Sequence, residues 1–152
     1  MIRPILQHPD PLLRRICDRV PEISDEIKAL ASDMLETMYD APGRGLAAPQ
    51  VGELIRLFVI DTTWKEGAAT PIVFVNPQII ATAPEQQTNA EACLSISDQS
   101  LDIARPSWVD VVWTDLNGTE KHDRFDGFAA ACICHENDHL NGKLILDYEV
   151  AA

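Results

Sequence analysis

Hydrophobic residues recur along residues 24–40 at the spacing that places them on one face of an α-helix. Ser24 precedes this stretch as a candidate N-cap, and Pro42-Gly43 ends it. The pattern therefore predicts an N-terminal helix whose apolar face belongs to the core. The residues of that face are Ile27, Leu30, Ala31, Met34, Leu35 and Met38.

Shorter segments rich in β-branched residues follow this helix and predict strands. Residues 55–61 (IRLFVID) and 72–80 (IVFVNPQII) are the first two. Residues 108–115 (WVDVVWTD) and the segment after them are joined by Asn117-Gly118, which is typical of a hairpin with a type I′ turn. This part of the chain is therefore predicted to form antiparallel strands.

A second helix is predicted for the apolar run FAAACIC and the HENDHL that continues it. Asp126 is placed to cap its start, and Asn141-Gly142 allows a left-handed exit at its end. The turns from Phe128 to Cys134 are almost entirely apolar, so this helix is expected to be buried. The order helix, strands, helix predicts an α+β fold in which the HENDH helix packs on an antiparallel sheet.

Length and charge narrow the class of protein. With 152 residues, 46% of them hydrophobic, residues 1–152 are predicted to form a single domain with a sizeable core. The 24 acidic and 12 basic residues give a formal charge of −12, which argues against a nucleic-acid or anionic-membrane surface. No apolar run reaches the ~18 residues of a membrane span, and the N-terminus has no signal-peptide core. We therefore expect a cytoplasmic protein.

The four cysteines are too sparse and unevenly spaced to predict a disulfide framework. Cys132 and Cys134 are two apart on the predicted helix and point about 200° away from each other, so they cannot bind one ion together. Cys134 is expected to be packed in the core. The remaining two are Cys17 and Cys93.

HENDH, residues 135–139, carries the clearest chemical signal. Histidines four apart on a helix lie on the same face, where both imidazoles can bind one metal ion. Burying two imidazoles and a carboxylate without partners would be costly, and a metal ion removes that cost. A catalytic metal site normally has three protein ligands and one open position, so a third ligand is required.

The third ligand is not expected downstream. The zincin pattern HExxHxxGxxH would place it at Ile145, which cannot bind a metal. The glutamate that other metalloproteases use lies well beyond the second histidine, and Asp147 and Glu149 are too near. The ligand is therefore expected upstream. Besides the acidic residues, the candidates there are His8, Cys17, Cys93 and His122.

Three motifs resemble those of the peptide deformylase family, metal-dependent hydrolases that remove the formyl group from nascent N-formylmethionyl peptides. GRGLAAPQ (43–50) resembles GxGLAAxQ, EACLS (91–95) resembles EGCLS, and HENDHLNG (135–142) resembles HExDHLxG. HPDPLLRRICDRV (8–20) is similar to the family's opening. The motifs occur in the family's order and at about its spacing. The resemblance implies antiparallel sheets packed around a central helix that carries the HExxH motif.

The resemblance also implies which residues act as general base, as donors to the formyl oxygen and as metal ligands. Glu136, beside the first histidine, is placed as the general base for water attack on the formyl carbon. The Gln50 side-chain amide and the Leu94 backbone N–H are implied as donors to the formyl oxygen. A thiolate and two neutral imidazoles suit Fe²⁺, for which Zn²⁺, Ni²⁺ or Co²⁺ can substitute. The implied ligands are Cys93, His135 and His139.

The peptide-binding positions follow the family only in part. Gly43 and Gly45 are expected to allow a tight turn and close approach of a bound peptide. Glu91 and Arg105 are expected to form an ion pair beside the strand of Cys93. Two departures are expected to weaken formyl-methionine binding. Arg44 places a charge at a position that is usually apolar, and Ala92 adds a methyl group that also disfavours positive φ. The other departures near the expected methionine pocket or groove are Asn89, Ser100 and Ala131.

Three functions are compatible with these motifs. The first is a monomeric peptide deformylase that acts on N-formylmethionyl peptides or nascent chains, without nucleic acid or membrane as a partner. The second is a deformylase-like homologue with an altered substrate or lost activity that still binds metal or peptide. A metalloprotease is the third, and Ile145 at the zincin ligand position argues against it. The sequence also ends 13 residues after His139, without the long C-terminal helix of many bacterial members.

Overall fold

The computed structural model describes residues 1–148, and these contain two α-helices and seven strands. In chain order the elements are α1 (Asp25–Asp40), β1 (Gly45–Ala47), β2 (Leu57–Ile60), β3 (Ile72–Thr82), β4 (Gln86–Cys93), β5 (Ile96–Pro106), β6 (Trp108–Thr114), β7 (Glu120–Asp126) and α2 (Gly127–Leu140). Short 3-10 helices span Pro11–Arg14, Ala48–Val51 and Ile145–Tyr148. Glu149, considered above as a metal ligand, lies outside the described residues.

The strands form two antiparallel sheets that α2 brings together. Five strands pair in the order β1-β2-β3-β6-β7, and β4 pairs only with β5 within the described part of the chain. Helix α2 contacts strands of both sheets, so it lies at the centre of the fold. The predicted α+β fold with antiparallel sheets around the HENDH helix is confirmed.

Helix α1 forms as its hydrophobic pattern predicts. The Ser24 hydroxyl accepts a hydrogen bond from the backbone N–H of Ile27 at 3.3 Å, as an N-cap does. Four residues of the predicted face are buried, and the other two are partly buried. This face packs against β1 and β2, where Leu46 and Leu57 belong to the same apolar cluster.

The hairpin of β6 and β7 is confirmed, but the predicted turn type is wrong. The N–H of Gly118 donates to the carbonyl of Asp115 at 3.0 Å, and the N–H of Asp115 donates to Thr119 at 2.9 Å. Gly118 has φ of +79°, whereas Asn117 is not left-handed, so a type I turn followed by a left-handed glycine closes the loop. Three residues lie between the hydrogen-bonded Asp115 and Thr119, where a type I′ hairpin would have two, which removes the need for positive φ at the asparagine.

Helix α2 is buried over most of its length, as predicted. Asp126 is at the N-cap position, but its side chain makes no capping hydrogen bond, so that part of the prediction is wrong. The exit is left-handed at Gly142, with φ of +72°. A Cβ at Gly142 would lie 2.8 Å from the backbone carbon of Arg14, so the N-terminal segment also requires glycine here.

The cysteines agree with two further expectations. All four cysteines are free thiols, and Cys134 is packed in the cluster that includes Phe58 and Phe74. Neither helix of residues 1–148 has both the length and the apolar character that a membrane crossing requires.

Candidate metal and catalytic site

The two histidines of HENDH meet Cys93 in the interior. His135 and His139 lie on one face of α2, with ring centroids 5.1 Å apart. Cys93 ends β4, and its Sγ lies 3.4 Å from Nε2 of His139. One ligand atom from each of the three residues lies within 4.8 Å of the others, and all three residues are buried. Among the upstream candidates, the structure therefore brings Cys93 to the histidines.

The other upstream candidates lie elsewhere. His8 and His122 are exposed, the latter on the edge strand β7. Cys17 is buried in an apolar cluster, where burial raises the pKa of its thiol to about 11. A neutral thiol among apolar side chains is not a metal ligand.

The donor set fits a single transition-metal ion. Ligands placed tetrahedrally around such an ion lie roughly 3.5 Å apart, close to the separation of Cys93 Sγ and His139 Nε2. Burial lowers the pKa of His139 well below its usual value. Its imidazole is therefore neutral, with a lone pair available to a metal. A thiol and two imidazoles form a donor set suited to Zn²⁺ or Fe²⁺.

Glu91 and Arg105 hold His135 in position. Nδ1 of His135 lies 3.0 Å from Oε1 of Glu91, which leaves Nε2 free for a metal. Arg105 donates two hydrogen bonds to the Glu91 carboxylate, at 2.8 and 2.9 Å. Burial opposes ionisation of Glu91, but hydrogen bonds from Arg105 and His135 outweigh it and lower the pKa. The expected ion pair of Glu91 and Arg105 is present, and it fixes the orientation of the His135 ring through Nδ1.

Arg105 has further partners that the sequence did not indicate. Its Nη1 donates to Oδ2 of Asp138 at 2.8 Å and to the hydroxyl of Tyr148 at 3.0 Å. The Tyr148 hydroxyl also donates to Asp138 at 2.7 Å. Asp138 lies within HENDH, so helical spacing could have indicated it. Tyr148 follows the helix without any motif, so only the folded structure identifies it.

Glu136 is buried beside the ligand set and lines the cleft that leads to it. Its Oε1 has no hydrogen-bond partner among residues 1–148, so this oxygen is available to a molecule in the cleft. Burial raises the pKa of the carboxyl to about 7. A carboxylate with a pKa near neutrality can both accept and return a proton.

Gly45 provides the space that Glu136 occupies. A Cβ at position 45 would collide with the Glu136 carboxylate, whose Cδ would lie 3.0 Å away. A Cβ at Gly43 would lie 2.7 Å from Cδ1 of Leu94. Neither glycine has positive φ, so side-chain space rather than backbone conformation explains both residues.

Gln50 points its amide nitrogen at the site. The backbone N–H of Ala47 donates to Oε1 of Gln50 at 2.9 Å, so the NH₂ group faces the other way. That nitrogen lies 3.0 Å from the hydroxyl of Ser95 and 3.7 Å from Sγ of Cys93. Ser95 is fully buried and was missed, although it belongs to EACLS. Leu94 lies between Cys93 and Ser95 and lines the same cleft.

A cleft with a cavity of about 320 Å³ brings most of the predicted site residues together. Ser100 lines a neighbouring open depression instead, and Asn89 does not line the cleft. Ala92 has no positive φ, so its methyl causes no backbone strain. The predicted residues that line the cleft are Gly43, Arg44, Gly45, Gln50, Glu91, Ala92, Cys93, Leu94, Ala131, His135 and Glu136.

A helix-borne HExxH motif whose histidines meet a buried cysteine beside a cleft is typical of metal-dependent hydrolases. Residues 2–151 match the family model of polypeptide deformylase, and the chain belongs to that family. Its peptide deformylase relative from Rhizobium meliloti (strain 1021) is 44% identical over 97% of this chain and 84% of the relative. The relative from Afipia carboxidovorans is 46% identical, over 97% of this chain and 86% of its own.

Solved peptide deformylase structures share the fold. The crystal structure from Thermotoga maritima has a TM-score of 0.90 and 36% identity, and the match covers 97% of each chain. The structure from Synechococcus elongatus, in complex with actinonin, has a TM-score of 0.91 and 43% identity. That match covers 97% of this chain and 82% of the other.

Proposed function

We propose that this chain removes the formyl group from the N-terminal methionine of newly made peptides. The observation that carries the proposal is the convergence of Cys93, His135 and His139 beside the buried carboxylate of Glu136. The ligand set is complete without a residue from a second copy, and we propose that the chain acts as a monomer. The family relationship supports the substrate class.

Cys93, His135 and His139 are the proposed ligands, and the resemblance favours Fe²⁺ as the resident ion. When bound, such an ion supplies Lewis acidity to the reacting groups. Glu136 accepts a proton from water as the water oxygen bonds to the formyl carbon. Glu136 then delivers that proton to the amide nitrogen as the carbon–nitrogen bond breaks. The products are formate and a peptide with a free amino group.

Gln50 and Leu94 are the proposed donors to the formyl oxygen. The amide nitrogen of Gln50 is oriented toward the ligand set because its oxygen accepts from Ala47. A fixed donor stabilises the negative charge that develops on this oxygen, and it needs no reorganisation during the reaction. The backbone N–H of Leu94, next to Cys93, is placed to act as the second donor.

A deformylation assay tests the proposal. The substrate is formyl-Met-Ala-Ser, and the protein is purified anaerobically and loaded with Fe²⁺. We expect release of formate and a new amine, and no reaction of the acetylated peptide. Reconstitution with Zn²⁺, Ni²⁺ or Co²⁺ then shows which of these ions can substitute for Fe²⁺. A metal-replete protein that releases no formate would exclude deformylation and favour a homologue that only binds metal or peptide.

Replacement of the proposed thiolate ligand tests the metal assignment separately. Cys93→Ser is expected to lower metal affinity, because a neutral hydroxyl is a poor ligand for these ions. Metal content after dialysis measures the change. Cys132→Ser is the matched control, because Cys132 also lines the cleft but lies outside the ligand cluster. Equal metal loss in both variants would contradict the assignment.

A further inference from the structure

The outer part of the cleft carries positive charge, although the chain has a formal charge of −12. Two of the 12 lysine and arginine residues line the cleft, Arg44 and Lys65. Phe128 lies beside Arg44, with the guanidinium 5.5 Å from the ring centroid. We call these three residues the mouth of the cleft, and we call Cys93, His135, His139 and Glu136 its inner end.

Arg44 is already paired within the protein. Its guanidinium binds both carboxylate oxygens of Glu66, with one of the distances 2.9 Å. It also donates to the carbonyl of Thr62 at 2.8 Å. The Arg44 charge is therefore balanced by Glu66, which argues against a role for Arg44 in binding a carboxylate on the substrate.

Lys65 is the cation of the mouth that retains binding capacity. Its Nζ donates to the carbonyl of Pro42 at 3.1 Å and lies 5.5 Å from the ring centroid of Trp64. Among the side chains that the structure describes, no carboxylate oxygen lies within 4 Å of it. An ammonium group has three donors, and the Pro42 carbonyl uses one of them.

The loop that carries Lys65 is held in place from within. The buried carboxylate of Asp61 accepts hydrogen bonds from the backbone N–H groups of Thr63, Trp64 and Thr70, at 3.0–3.2 Å. The indole N–H of Trp64 donates to the carbonyl of Gly43 at 2.9 Å, which fixes the loop to the cleft wall. Lys65 is therefore presented to the cleft by a preorganised loop, which lowers the entropic cost of a contact there.

The mouth lies a few residues of peptide away from the inner end. Phe128 and His135 are seven residues apart on α2, which is about 10 Å along the helix axis. An extended peptide covers roughly 3.3 Å per residue, so about three residues span this distance. A peptide that has its formyl group beside Glu136 and runs along α2 toward the mouth would therefore reach the mouth with its second or third residue.

We propose that Lys65 determines specificity by favouring formylated peptides with Asp or Glu at the second or third position. This inference rests on the proposed deformylase function and names a preferred class of substrate for the same site. Because Lys65 is exposed, the ion pair it forms is weak and screened by salt.

Amidated tripeptides test this preference without the charge of a C-terminal carboxylate. The substrates are formyl-Met-Glu-Ser-NH₂ and formyl-Met-Ala-Glu-NH₂, each compared with its Gln counterpart at low and high salt. We expect a kcat/KM ratio of Glu to Gln peptide of about threefold for at least one pair at low salt, largely through KM. High salt is expected to reduce the ratio toward one.

Variants assign the preference to Lys65. Lys65→Met is expected to bring the ratio to one, and Lys65→Arg to retain it. Lys28→Met is the matched control, since Lys28 is an exposed lysine on α1 away from the cleft, and it should leave the ratio unchanged.

The outcomes separate this inference from the proposed function. Deformylation of Glu and Gln peptides at equal rates, or a ratio that Lys65→Met leaves intact, would overturn the role of Lys65 and leave the function standing. If no peptide released formate, the proposed function would fall. The affinities of the metal-loaded protein for the unformylated Glu and Gln peptides would then be compared. A Glu-to-Gln affinity ratio of one would exclude the role of Lys65, and a ratio that Lys65→Met abolishes would support it.

Discussion

Two Arg–Glu pairs, each with one member lining the cleft, lie in contrasting environments. Next to the inner end, Arg105 and Glu91 are 4% and 8% exposed, and the carboxylate contacts a proposed metal ligand. At the mouth, Arg44 and Glu66 are 23% and 66% exposed and connect a loop to the cleft wall. Breaking a buried pair leaves an uncompensated charge, whereas an exposed pair contributes little. The inner end should therefore tolerate no change, while the mouth can vary and alter selectivity.

The largest effect is expected for the carboxylate at the inner end. Glu136→Gln conserves the shape of the side chain but cannot move a proton, so kcat should fall on the order of 10²–10⁴. Metal content should not change, because Glu136 is not a proposed ligand. Steady-state kinetics and elemental analysis of the same preparation measure both quantities. Full activity in this variant would refute the proton-transfer role.

The two Arg–Glu pairs can be compared directly by removing one charge from each. Glu91→Gln weakens the hold on His135 and should lower metal affinity by about 10–100-fold. Glu66→Gln is the matched change at the mouth and should leave metal affinity within about twofold. Competition with a metal chelator measures both affinities. Equal losses would show that burial does not distinguish the pairs.

Asp61→Asn is expected to weaken the hydrogen bonds that hold the loop of Lys65 in place. An amide can replace Oδ1 as an acceptor, but its NH₂ group would then face the N–H of Thr70, which donates to Oδ2. The part-buried N–H of Thr70 then loses its hydrogen bond to a charged group, which should cost about 1.5–3 kcal/mol of unfolding free energy. Denaturant unfolding measures this loss, and metal affinity should stay unchanged.

The same variant should change the acid response of the protein. Burial raises the pKa of Asp61, but hydrogen bonds from Tyr39, Thr63 and Thr70 outweigh it and lower the pKa below its usual value. Because folding lowers this pKa, the stabilisation is present above about pH 4 and is lost as pH falls through the folded-state value. The stability difference between the parent chain and Asp61→Asn should therefore shrink at acid pH. A difference independent of pH would exclude the ionised form as its source.

The smallest effect is expected at Ala92. Its methyl lines the cleft without backbone strain, so Ala92→Gly should raise kcat/KM for formyl-Met-Ala-Ser by less than about tenfold, roughly 1.4 kcal/mol. Adding Arg44→Ile should give no additive gain, because it removes the partner of Glu66 and frees the loop. Kinetics of the single and double variants decide this point. A large gain from Arg44→Ile alone would show that the guanidinium obstructs the peptide.

Local periodicity predicted the inner end well because helix geometry places His135 and His139 on one face regardless of the rest of the fold. The resemblance supplied Cys93 and Gln50, which lie far from the histidines in sequence. The mouth could not be predicted in the same way. The pairing of Arg44 with Glu66 depends on how a loop folds around Asp61, and no periodic pattern encodes such a loop.

The division of the strands into two sheets places the proposed metal ligands on parts of the fold that can separate without global unfolding. Cys93 belongs to the two-stranded sheet and packs with Ile103 and Leu144, whereas the histidines belong to the helix against the larger sheet. Local opening of β4 and β5 would therefore separate the thiol from the imidazoles while the larger sheet and α1 remain folded. The free energy of this partial opening, rather than that of global unfolding, would then set the fraction of molecules in which the site is assembled.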